Sequence, residues 1–158
     1  MAAFVSLFAG NKLHIAVLTD IAQGQKGKVE SLRRNRLLGS GHVLTAAEFC
    51  NQQEADVEDI LGEPPYLDLV NHAFGLGGNS ALSSAALAAT GEKSQRVLRR
   101  VEAAMRVLAS APEFDHYIPA WWLIQHPDFL SPQSSELKAA LDRFEALFKR
   151  LNGLLPAV

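Results

Sequence analysis

The sequence predicts an α/β chain, a small parallel sheet flanked by helices and followed by a mainly helical carboxyl-terminal tail. Three observations carry that reading. Two short apolar runs, 13–19 and 42–45, are closed by polar residues, as strands buried on both faces are. A segment with helical spacing lies between them, making a βαβ unit whose right-handed crossover puts both strand ends on one edge. Over 97–108 and again over 137–151 the apolar residues recur at helical rather than alternating spacing.

Composition narrows the class further. A chain of 158 residues, 48% apolar, makes one ordinary globular domain or one domain with a helical appendage. The formal charge of −2 gives no basic excess, so nucleic-acid binding would need a local patch or another chain. A single cysteine, Cys50, excludes an intramolecular disulfide framework and a multi-cysteine zinc site, and fits a reducing compartment. Residues 1–10 are apolar but lack a basic leader and are too short to span a bilayer. The expected location is cytoplasmic, with no membrane partner.

Taken in order, Phe4, Val5 and Phe8 suit a short helix over 2–8, with Gly10 and Asn11 as its stop. The strand 13–19 ends on Asp20. A loop over 21–27 leads into a basic helix near 28–38, with Val29 and Leu32 on its inner face, and Gly39-Ser40-Gly41 ends it. The strand 42–45 follows, and Thr45 is read as the cap of a short helix carrying Phe49. Glu54, Asp56, Glu58 and Asp59 precede Ile60 and Leu61 as a helix start would, and Gly62 with Pro64-Pro65 stops it. The helix 66–74 carries Leu67, Leu69, Val70 and Phe74.

The stretch 76–91, rich in Gly, Ser and Ala, is read as a linker or mobile loop. It divides an α/β domain, 1–75, from a helical region, 92–158, packing on it. There Val97, Leu98, Val101, Ala104, Met105 and Leu108 define an amphipathic helix that Pro112 ends. Tyr117, Trp121, Trp122 and Phe129 lie among three prolines in 113–132, which predicts an irregular aromatic wrap around the core. Leu137, Leu141, Phe144, Leu147, Phe148 and Leu151 mark a last helix over 134–152.

The candidate chemistry is carboxylate chemistry. In open α/β sheets ligands sit beyond the carboxyl ends of the strands, where Asp20 falls, and the acidic segment 54–59 is the natural partner for a divalent-metal site. Each residue also has a plainer role: Asp20 can cap a turn, and acidic side chains at a helix start can answer the helix dipole. Asp56 and Asp59 share a helical face and rank ahead of Glu58 as ligands. Lys26, Lys28, Arg33, Arg34 and Arg36 form a basic strip that either contacts DNA phosphates or is a solvated helix face. The run 24–28 lacks the spacing of a phosphate loop. The five histidines are scattered without zinc spacing, and Cys50 has no sequence neighbour that would activate it.

An ordered set of segments then carries a resemblance: Phe4-Val-Ser-Leu-Phe8, Ala16-Val-Leu-Thr-Asp20, Gly41-His-Val-Leu-Thr45, Glu54-Ala-Asp-Val-Glu-Asp59, Tyr66-Leu-Asp-Leu-Val-Asn71, and later Phe114-Asp-His-Tyr-Ile-Pro119 and 144–152. Together they resemble the carboxyl part of the TOPRIM nuclease domain of overcoming-lysogenization-defect (OLD) ATP-dependent endonucleases, over most of the chain. The resemblance implies a partial TOPRIM-like, Rossmann-like sheet and Mg²⁺- or Mn²⁺-dependent hydrolysis of DNA phosphodiesters. It implies Asp20, Asp56, Glu58 and Asp59 as metal ligands and Lys93 as the lysine that supports transition-state charge. DNA is then the substrate, and ATP enters only through an ATPase domain or subunit that this chain is too short to hold. Two departures stand out. Ala22 occupies the place of the second aspartate in the family's Asp-x-Asp, and the strand bearing its glutamate would precede Met1. A non-enzymatic alternative follows, a TOPRIM remnant acting as a protein-interaction or DNA-contacting module, while a phosphate-binding receiver-type domain fits the helical tail less well. An unfilled sheet edge would also favour homodimerisation.

Overall fold

A computed structural model describes residues 15–22, 24–34, 42–108, 111–131 and 134–154. The expected helix over 2–8, His14 and Arg36 lie outside them. Among the described residues the chain is α/β and mostly helical, with one two-stranded parallel sheet flanked by helices. It divides into two compact units, residues 1–60 with 143–158 and residues 61–142.

In the first unit, β1 (Val17–Thr19) and β2 (Val43–Thr45) pair in parallel, Val17 opposite Val43 and Thr19 opposite Thr45. The intervening α1 (Lys26–Arg33) makes the predicted βαβ connection. All three residues of β2 are buried, which is why the run is apolar on both faces rather than alternating. Val29 of α1, Val43, Leu44, Ala46, Ala55 and Ile60 form the core, joined by Leu147 of α8 (Ser135–Asn152). His42 is a structural residue, donating from Nδ1 to the Ile15 carbonyl at 2.9 Å. Between β2 and the acidic segment runs α2 (Ala47–Cys50), which ends on Asn51 at φ 54°.

The short helix α3 (Val57–Leu61) ends the first stretch of unit one and gives way at Gly62 to α4 (Glu63–Phe74) of the second unit. The two prolines that stop one helix also open the next, since Pro64 and Pro65 occupy its first turn, where a missing N–H costs nothing. Gly75, in the left-handed conformation at φ 63°, closes α4. The segment expected to be a linker is largely folded. It holds α5 (Ser84–Ala89), whose cap Ser83 accepts the Ala86 N–H, and its Leu82 and Leu87 are buried. Asn71 pins it from α4: the side-chain amide donates to the Leu82 carbonyl at 2.9 Å while its oxygen accepts the Leu82 N–H at 2.7 Å.

Next comes α6 (Val97–Val107), which buries Val97, Val101, Ala104 and Met105 as its spacing predicts. Its Arg100 pairs with Glu63 of α4. The region predicted to be an irregular wrap is instead helical over α7 (Tyr117–Gln125), followed by a 3₁₀ turn at Pro127–Leu130. Pro119 is tolerated because it falls in the first turn of α7. Trp122 turns inward onto His72 of α4, ring centroids 5.4 Å apart, and onto the edge of Phe129 at 5.7 Å.

Candidate functional site

The carboxyl edge of the sheet gathers the acidic residues. Immediately after β1, Ile21 and Ala55 exchange both backbone hydrogen bonds at 2.9 Å in an antiparallel bridge. That bridge lays the acidic segment beside the end of β1, and Oδ1 of Asp20 accepts the Val57 N–H at 3.0 Å. Val57 is the first residue of α3, so Asp20 caps that helix from a distant part of the chain, satisfying one of its orphan amides.

The remaining acids divide by exposure. Asp56 is 0% and Asp59 5% exposed. Oδ2 of Asp59 turns back to accept the Asp56 N–H at 2.7 Å, the reach-back half of a capping box with aspartate in the glutamate position. Glu58 is half-buried and Asp20 exposed. The two ligands ranked first by helical face are therefore the two that water does not reach. A hard divalent cation needs about six oxygens, several of them water, and among the described residues no group of three or more His, Cys, Asp or Glu is arranged to hold a metal ion. Lys93 lies in the second unit, exposed in the turn before α6 rather than on that helix.

Next to Asp20 opens a cleft of about 350 Å³ lined by Thr19, Gln25, Lys28, Val29, Ser31 and Leu32. A carboxylate and an ammonium thus face one concavity at the end of β1, where α/β sheets place their ligands. The rest of the basic strip is partly committed. Arg33 pairs with Glu30 at 3.2 Å and with Glu48 at 2.7 Å, while Lys26, Lys28 and Arg34 are exposed.

Glu48 is the residue the sequence reading passed over. Its Oε1 accepts both the backbone N–H and the hydroxyl of Thr45 at 3.1 Å, besides holding Arg33. The helix cap itself is Ala46, so Thr45 anchors α2 through Glu48 rather than by bonding its amides. The Thr45-x-x-Glu48 spacing of a capping box was the available signal. Arg143 was also unforeseen: its Nε donates to the Ile60 carbonyl at 2.8 Å, at the end of α3.

Cys50 is no nucleophile. Its thiol donates to the Ala46 carbonyl at 3.3 Å. Burial pushes it from 9.0 up to about 11, with the Asp59 carboxylate adding to the rise and Arg143 opposing it. A raised thiol pKa favours the protonated folded form, so Cys50 supports the fold below pH 9 and this contribution fades as pH climbs towards 11. Alkylation by iodoacetamide at pH 8 should run at least about tenfold slower than for free cysteine, because the thiolate is scarce. A mass-spectrometric time course reads this, and a rate equal to free cysteine would contradict it.

No known protein family, curated protein or solved structure matches the chain. No helix among the described residues is long and apolar enough to cross a membrane.

Proposed function

We propose that this chain is the carboxyl part of a TOPRIM-like nuclease domain of the OLD type, contributing Asp20 to a site for metal-assisted phosphodiester hydrolysis in DNA. The observation that carries this reading is the position of Asp20: exposed, at the carboxyl end of a parallel strand, joined to the acidic segment through Val57, and beside a cleft that also holds Lys28. In this reading the other metal oxygens come from Glu58 and from outside the described residues, and an ATPase partner supplies ATP hydrolysis. DNA would approach along Lys26, Lys28 and Arg34, the exposed part of the basic strip, and localisation would be cytoplasmic.

The second reading is a catalytically inactive TOPRIM remnant that contacts DNA or another protein. Burial of Asp56 and Asp59, and Ala22 in place of a second aspartate, favour it. Asp20→Asn separates the two. Asparagine keeps an oxygen for the Val57 N–H, so stability should change by less than about 1 kcal/mol, whereas a cation loses its only exposed carboxylate among the four proposed ligands. The nuclease reading expects Mn²⁺ binding by calorimetry to weaken at least about tenfold and supercoiled-plasmid nicking to vanish. Wild-type protein that neither binds Mn²⁺ nor nicks leaves the remnant. In that case Lys26→Ala with Lys28→Ala should weaken DNA binding and lower the salt slope by roughly 2.

A further inference from the structure

The helix α7 is apolar all round. Between Tyr117 and Gln125 it carries no charged residue. Its inner side is accounted for: Pro119 is buried and Trp122 stacks among His72, His126 and Phe129. Its outer side holds a second apolar stripe. Tyr117, Ile118, Trp121 and Ile124 are 70%, 39%, 65% and 71% exposed, and Ala120 lies exposed among them. Surface helices of soluble domains show one apolar stripe and one polar face, and a helix apolar on all sides is normally covered on all sides.

We propose that this face is covered by a second copy of the chain, in a two-fold dimer built on antiparallel packing of α7 against its symmetry mate. The area suits that occupant. The four large side chains offer roughly 500 Å² of apolar surface per copy, since a full aromatic side chain buries about 150–250 Å². Covered completely on both copies, the patch removes about 1,000 Å² from water, the lower bound for a specific interface. An isologous contact requires each patch to fit its own copy, and here the small, exposed Ala120 borders the bulky stripe of Tyr117, Trp121 and Ile124. An antiparallel pair also sets Tyr117 of one copy against Ile124 of the other. Tryptophan and tyrosine, rich in contact area and poor in rotamer entropy, are the side chains that most often anchor interfaces. The whole device lies in the second unit and is independent of the nuclease reading.

The test is the mass of the full chain in solution. The 17.2 kDa chain should sediment at about twice that mass at tens of micromolar, and each of Trp121→Glu and Ile124→Glu should weaken the dimer at least about 100-fold, because a two-fold axis counts every substitution twice. Far-UV circular dichroism should be unchanged in both variants, since the positions are exposed. Two results overturn the proposal: a wild-type chain that stays monomeric to about 100 µM, which assigns the face to another segment or partner, or a dimer that both variants leave intact.

Discussion

Leu44→Ala is expected to lower the unfolding free energy by about 3 kcal/mol, within the range of about 2–5 kcal/mol seen for leucine truncation in a closed core. Leu44 is 2% exposed in the middle of β2, opposite Leu18 of β1. Both faces of so small a sheet must be covered for its backbone bonds to survive, and Leu44 is among the largest fully enclosed side chains. Removing three carbons there costs the transfer term and leaves a cavity that β1, α1 and α2 cannot collapse to fill. Urea unfolding followed by far-UV circular dichroism measures the loss, with Leu44→Met as a volume-conserving control costing under about 1.5 kcal/mol. A change below 1 kcal/mol for alanine would mean that β2 is not part of a closed core.

Gly62→Ala carries the second large effect, a loss of about 1–3 kcal/mol from backbone strain. Gly62 sits at φ 89°, ψ 158°, a region essentially reserved for glycine. It also supplies the carbonyl that accepts the Tyr66 N–H at 3.0 Å, so the turn cannot relax without loosening the start of α4. The nature of the region sharpens the test. Asparagine tolerates the left-handed helical conformation but not this one, so Gly62→Asn should be as harmful as Gly62→Ala. At Gly75, where φ is 63° and ψ 31°, asparagine should be nearly neutral. Thermal unfolding of the three variants checks the pattern, and equal tolerance at both positions would contradict it.

Much of the architecture was legible in the residue order. The parallel pairing of 17–19 with 43–45 follows from two apolar runs joined by a helical period, and the long helices announced themselves through Val97, Val101, Ala104 and Met105 and through Leu137 and Leu147. Misreadings came where composition stood in for pattern. Residues 76–91 look like a linker because they are small and flexible in isolation, yet Asn71 and two buried leucines hold them. Residues 113–132 look irregular because of their prolines, yet Pro119 falls in a first turn where the missing N–H is harmless.

The site divides in the same way. The sequence by itself determined that a carboxylate closes β1, that two lysines follow it, and that four acids cluster at the start of α3, since strand ends and helix starts are set by neighbours along the chain. Only the tertiary structure decided which carboxylates face water. Asp20 reaches the Val57 amide through the bridge of Ile21 with Ala55, while Asp56 and Asp59 are enclosed and Asp59 is spent on a backbone N–H. Desolvation and hydrogen bonding depend on what packs around a group in space, and helical periodicity reports which residues share a face but not which face the rest of the chain will cover.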